Sequence, residues 1–190
     1  IALSNVVAID AGLAHSVALL ANGDAYTWGD NAYGQLGDGT LNDSYVPRLV
    51  MSGVRAISAG ADYSLFVKAD GTVWGVGRNN FGILGDGTTV TPRTTPVQAL
   101  GVTTAVAVSA GESHSIVLMA DGTVRTMGYA FYLGTGGSTN QSTPVAVPGL
   151  TDIVSVSAAR IHSAALKGDG TVWTWGSNAN SQIGNGQPTT

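Results

Sequence analysis

Ala11-Gly12-Leu13-Ala14-His15-Ser16-Val17-Ala18-Leu19, then Asn22-Gly23, then Tyr26-Thr27-Trp28-Gly29-Asp30-Asn31-Ala32-Tyr33-Gly34-Gln35-Leu36-Gly37-Asp38-Gly39, is the stretch whose reading decides the fold. Its landmarks recur. The pairs Asn22-Gly23, Asp70-Gly71, Asp121-Gly122 and Asp169-Gly170 lie 48, 51 and 48 residues apart. Seven residues ahead of each stands His15, Tyr63, His114 or His162, followed every time by a serine. Six residues beyond each turn glycine comes another, at Gly29, Gly77, Gly128 and Gly176. Three units run on to Gly37-Asp38-Gly39, Gly85-Asp86-Gly87 and Gly184-Asn185-Gly186, while the third reaches Gly134-Thr135-Gly136 two residues early. Self-similarity of this kind marks a repeat of about 50 residues. One repeat domain is expected over 1–190, with units at approximately 3–50, 51–99, 100–149 and 150–190.

Each unit reads as short strands between turns. Val6-Val7-Ala8-Ile9 is an apolar run, and the segment from His15 to Leu20 leads into Asn22-Gly23. Asn-Gly and Asp-Gly between apolar runs predict hairpins with two-residue primed turns, which need positive φ. Ala25-Tyr26-Thr27-Trp28 supplies a third strand, and a fourth opens on proline: Pro47-Arg48-Leu49-Val50, Pro96-Val97-Gln98-Ala99 and Pro144-Val145-Ala146-Val147. The second strand is apolar on both faces, with Tyr63, Leu65 and Val67 against Ser64 and Phe66. Such a strand belongs to a sheet buried on both sides. Four-stranded sheets stacked around an axis meet that demand, so the expected fold is an all-β propeller of about four blades.

Composition removes several classes of function. Of 190 residues 11% are charged, Cys is absent, and the formal charge is −4 with no basic run. Disulfide scaffolds, thiol catalysis and Cys-based zinc sites are excluded, and nucleic acid is a poor partner for such a surface. No stretch reaches the roughly 20 apolar residues that span a bilayer, so no membrane insertion is expected.

The combined motif resembles the regulator-of-chromosome-condensation repeat along essentially the whole chain. The resemblance implies four-stranded blades, typically seven to a ring. Departures are Tyr63 for His and Val76 for Trp, Met127 for Trp with the shortened third loop, and Ala159 for Gly. The founding member is a nucleotide-exchange factor for a small GTPase, but exchange depends on loops outside the repeat and is not carried over. Bacterial relatives include a secreted propeller inhibitor of β-lactamases, which implies a bacterial, extracellular or cell-surface binding role. Four repeats fall short of seven. Aligning Leu3 with Leu150 sets Ile1 opposite Pro148 and Thr190 opposite Asn140, so the counterpart of Gln141 to Val147 is missing from the last unit. Either the chain is a fragment of a longer propeller or it self-assembles, two copies closing a ring or copies adding end to end.

Catalytic and metal readings are weak. Equivalent histidines on successive blades sit about 10 Å apart, too far to share a zinc ion, and each reads instead as bonded to backbone of the adjoining blade. Serine beside histidine on one strand points to the opposite face and cannot exchange a proton with it. Asp38, Asp86 and Asn185 share one slot, which favours turn-stabilising side chains over a calcium loop. No cofactor is expected. Function is expected where the repeats disagree, between the Gly and His landmarks and in the long loops. The candidate binding residues are Tyr33, Asp62, Arg78, Phe81, Glu112, Tyr129, Phe131, Tyr132 and Arg160. Exposed aromatics and mixed charges on rigid loops suit a protein partner, and the alternative partner is another copy of the chain.

Overall fold

The computed structural model describes residues 2–187; Ile1 and Thr190, used above to align the ends, lie outside them. Blade 1 is β1 (Val6–Ala11), β2 (His15–Leu20), β3 (Ala25–Gly29) and β4 (Ser44–Met51). Blade 2 is β5 (Val54–Ala59), β6 (Tyr63–Lys68), β7 (Val73–Gly77) and β8 (Arg93–Gln98). Blade 3 is β9 (Ala105–Ala110), β10 (His114–Met119), β11 (Val124–Gly128) and β12 (Gln141–Ala146). Blade 4 has three strands among the described residues, β13 (Ile153–Ala158), β14 (His162–Lys167) and β15 (Val172–Gly176). Every sheet runs antiparallel in sequence order, and β1, β5, β9 and β13 lie side by side along the inner rim.

Two local expectations need correction. The hairpins are three-residue loops rather than two-residue primed turns: the Leu20 N–H donates to the Asp24 carbonyl at 2.9 Å, enclosing Ala21, Asn22 and Gly23. Gly23 alone turns left-handed, at φ 88°, as when a type I turn is closed by a glycine bulge. The fourth strands do not begin at proline either. They start three residues earlier, at Ser44, Arg93 and Gln141, with Pro47, Pro96 and Pro144 inside them. This is the outermost strand of each blade, where a missing N–H breaks no ladder.

The period-two alternation of the strands sorts side chains to the two neighbouring blades. From β6, Tyr63, Leu65 and Val67 pack with Val108, Val117 and Met127 of blade 3. Phe66 on the opposite face packs with Val17 and Leu19 of blade 1. Between blades 3 and 4, Ile116, Leu118 and Val124 meet Ile153 and Ala165. Backbone bonds stitch each junction at both ends, as when Val54 N–H donates to the Gly23 carbonyl at 2.9 Å and Leu13 N–H to that of Ala61 at 3.0 Å.

The repeated His-Ser dipeptide is an interblade latch. His15 Nε2 lies 2.9 Å from Ser64 Oγ on the next blade, and His114 Nε2 lies 2.7 Å from Ser163 Oγ. Ser64 donates its one proton to the Gln35 carbonyl at 2.9 Å, so His15 must donate from Nε2 and carry a bare Nδ1. Tyr63 fills the slot differently, donating to the His114 carbonyl at 2.6 Å. The expected backbone partner is thus right for Tyr63 and wrong for the two histidines, which meet a hydroxyl. Glycine three residues earlier makes room: a Cβ on Gly12, Gly60 or Gly111 would strike the ring of His15, Tyr63 or His114.

Burial lowers both latch histidines to about 4, against the pull of Asp62, Asp30 and Asp10 at His15, and with His162 pushing the same way at His114. A folded value below the unfolded one means that stability is complete above pH 6.5 and drains away as pH falls toward 4. The unfolding free energy from urea titrations should therefore drop across that window, by up to about 3 kcal/mol per imidazole, and His15→Gln with His114→Gln should flatten the slope.

Candidate functional site

Strand parity places the candidate residues. Within a blade the first-to-second and third-to-fourth connections emerge at one end, and the hairpin turns at the other. Backbone bonds tie the two kinds of loop together at that first end: Asp30 N–H donates to the Ala14 carbonyl at 2.9 Å, Arg78 N–H to Asp62 at 2.9 Å and Tyr129 N–H to Ser113 at 2.8 Å. All nine residues singled out from the sequence consequently lie in loops at one end of the propeller.

At the inner rim of that end is an open cavity of about 970 Å³, built from the same stretch of all four repeats. Its wall is a ladder that runs from blade to blade. Asp10 Oδ2 accepts from Ser58 Oγ at 3.0 Å and from Ala59 N–H at 2.8 Å. Ser58 Oγ then accepts from Ala110 N–H at 3.1 Å, and Ser109 Oγ from Ala158 N–H at 2.8 Å. These residues were not anticipated, although the recurrence of a short polar residue before Ala11, Ala59, Ala110 and Ala158 was visible in the sequence.

Asp62, Arg78, Glu112 and Arg160 line the same cavity as two ion pairs. Arg78 Nη1 is 3.3 Å from Asp62 Oδ2, and its guanidinium lies 5.7 Å from the Tyr33 ring centroid. Arg160 Nε and Glu112 Oε2 are 2.5 Å apart with the arginine largely in solvent. Farther out the aromatics gather. Tyr129 is the hub, with ring centroids 4.9 Å from Phe81, 5.4 Å from Phe131 and 5.2 Å from Tyr132. Tyr132 also leans edge-on against the latch residue His114 at 5.6 Å, and burial raises its hydroxyl above the ordinary phenol range, with Tyr129 and Glu112 adding to the rise. Phe81 holds φ 65°, a left-handed conformation that costs a bulky residue of order 1–3 kcal/mol and that clusters at binding sites. Phe131 is 67% exposed and Tyr33 40%.

The long loops are rigid because they are internally bonded. Asn31 Nδ2 reaches the carbonyls of Thr40 and Asn42 at 3.1 and 3.0 Å, and Asn79 Nδ2 that of Thr88 at 3.2 Å. Asp38 and Asp86 accept from the amides of Thr40 and Thr88, both at 3.0 Å, as Asn185 does from Gln187 at 3.1 Å, so this slot closes turns. Among the described residues no three of His, Asp and Glu are grouped to hold a metal ion. What the face offers chemically is shape, aromatic area and paired charge on a fixed frame.

The family model of the RCC1-like domain matches residues 1–190. The chain belongs to the RCC1-like domain family. This RCC1-like domain is 56% identical over 45 residues, 24% of its length, to the human E3 ubiquitin-protein ligase HERC2, and 46% identical over 46 residues to zebrafish (Danio rerio) E3 ubiquitin-protein ligase MYCBP2. Each segment is 1% of those much longer relatives. Human WBSCR16 superposes with a TM-score of 0.88 at 28% identity, covering 97% of this chain and 50% of that one. Prp20p of Saccharomyces cerevisiae superposes with a TM-score of 0.82 at 23% identity over 96% of this chain and 48% of its own, and that protein is described with its binding to Gsp1p and histones. The RCC1-like domain described here thus spans about half the length of those propellers.

The two ion pairs should behave unequally. Arg160→Ala removes an exposed pair and should cost less than about 1 kcal/mol. Arg78→Ala removes a mostly buried guanidinium, its stacking on Tyr33 and the partner of Asp62, and should cost about 1–2 kcal/mol, read as the shift in urea unfolding free energy.

Proposed function

We propose that this RCC1-like domain is a non-catalytic binding module that engages a protein through the end carrying the cavity and the aromatic loops. The observation that carries the reading is convergence: Tyr33, Asp62, Arg78, Glu112 and Arg160 adjoin the cavity rim, and Phe81, Tyr129, Phe131 and Tyr132 form one aromatic cluster at the same end. Aromatic and arginine side chains on a stiff support are the usual anchors of protein recognition. The opposite end offers mainly Asp-Gly hairpins whose carboxylates are engaged locally, as Asp70 is with Thr72 at 2.6 Å. That RCC1-type relatives bind proteins supports the same reading, as does a formal charge of −4 that disfavours nucleic acid. The buried, neutral latch histidines favour a structural role over general-base chemistry.

Phe131→Ser with Tyr33→Ser separates loop-face binding from folding, because both side chains are already exposed. The unfolding free energy should fall by no more than about 1–2 kcal/mol, the loss of the Tyr33–Arg78 and Phe131–Tyr129 ring contacts, with the chain still folded. Partners captured by the parent and identified by mass spectrometry should be lost, whereas Lys167→Ser at the opposite end should keep them. Retention of every partner by the double variant overturns the reading.

A further inference from the structure

We infer that the protein partner carries an exposed arginine that seats on the rings of Phe131 and Tyr132 at the junction of blades 3 and 4, with the Glu112 carboxylate as its counter-ion. This rests on the protein-binding reading and names the chemistry the partner must bring. The template is the way the chain covers its own loop rings at the two preceding junctions.

The residue that follows the last glycine of each third strand is held in place by its backbone. Arg78 N–H donates to the Asp62 carbonyl at 2.9 Å, Tyr129 N–H to Ser113 at 2.8 Å and Ser177 N–H to Ile161 at 2.9 Å. At the first two of these positions the side chain reaches back to an aromatic ring of the preceding blade. Arg78 lies 5.7 Å from the ring centroid of Tyr33, and the Tyr129 ring 4.9 Å from that of Phe81. Arg78 is also held by a carboxylate, Asp62 Oδ2 at 3.3 Å. A guanidinium between a ring and a carboxylate is bound by both, since the ring quadrupole and the anion each attract its charge.

The third junction has the rings and the carboxylate but lacks the covering side chain. Tyr132 leans edge-on against His114, whose Nε2 bonds Ser163 of blade 4, so the rings of this loop overlook that junction. Blade 4 offers Ser177 in the covering position, too short to reach across a ring and turned toward the Ala179 N–H at 3.4 Å. Phe131 is left 67% exposed. Glu112 stands close enough to act on the Tyr132 hydroxyl. Its resident partner, Arg160, is bound through Nε with the side chain 79% exposed. An exposed pair of that kind is worth at most about 1 kcal/mol, so an incoming guanidinium that also gains an aromatic face takes its place.

The charge of the whole end selects the same sign of partner. Among the described residues the three ion pairs use Arg78, Arg93 and Arg160, and all lie at this end. Asp10, Asp30, Asp38 and Asp43 there have no ion-pair partner, against Arg48 alone among the arginines. The surface around the rings is therefore negative and draws a basic segment toward them.

Random linear peptides displayed on phage and selected on the whole chain test the arginine seat. Peptides that lose binding to Phe131→Ser should carry arginine, and replacing that arginine by methionine should weaken binding at least about tenfold. Glu112→Gln should weaken the arginine peptide at least about threefold and leave its methionine counterpart unchanged, a split that a merely structural role for Glu112 does not produce. Arg160→Ala should tighten the arginine peptide at least about twofold, because it releases Glu112. Selection of carboxylate-rich or arginine-free peptides overturns the proposal, as does the absence of any peptide that depends on Phe131. Equal effects of Glu112→Gln on both peptides, or unchanged or weaker binding to Arg160→Ala, overturn it too. The protein-binding reading survives each of these results while partner capture still depends on Phe131 and Tyr33, and falls separately when it does not.

Discussion

A blade sheet has two apolar faces, and each must be covered by another blade. That constraint fixes the rest. It makes the strands apolar at consecutive positions, as in the run from Tyr63 to Val67, every member of which is buried. It forces stacking rather than an isolated sheet, since leaving one face to water forfeits its burial, about 25 cal/mol for each Å² of apolar surface. It also decides where polar groups can sit. A hydroxyl or imidazole at a blade junction needs a partner from across it, and Ser64, which accepts from His15 and donates to Gln35, is satisfied only when the neighbouring blade is present.

The framework was legible in the sequence because its signals are local. Gly23, Gly71, Gly122 and Gly170 all have positive φ, which a glycine in the turn makes inexpensive. The turn type was misread because an Asn-Gly pair fits either a two-residue primed turn or a three-residue loop closed by a left-handed glycine. The proline strands were misplaced because proline ordinarily marks a boundary, whereas the outermost strand of a blade needs no inward N–H at that point. The latch was illegible for a different reason. His15 and Ser64 are 49 residues apart, while the serine next in sequence to each histidine points to the other blade. Spacing within one repeat shows the dipeptide and conceals that its two members serve different junctions.

The site was legible as a set of residues and not as a place. Departures from the repeat identified Arg78, Phe81 and Tyr132, but their gathering depends on parity, because two turns of the chain within each blade return both variable loops to the same end. The shortened third loop then acts on packing. With Ala130 where the other repeats have Asn31, Asn79 and Asn178, the loop is tied by the Asn140 side chain accepting from Ala130 N–H at 3.0 Å, and the rings of Tyr129, Phe131 and Tyr132 pack on one another within it.

Scaffold and binding surface are therefore coupled through the latch. Tyr132 rests on His114, which bonds Ser163 of the next blade, so the aromatic cluster is built on a junction rather than on one blade alone. A charge placed on that imidazole would break the support from below, since burial holds it neutral with the other face of the ring against packed chain. The fourth repeat lacks this arrangement. Ala159 stands where glycine would let the ring of His162 seat, and no aromatic lies in the run from Ser177 to Gln187.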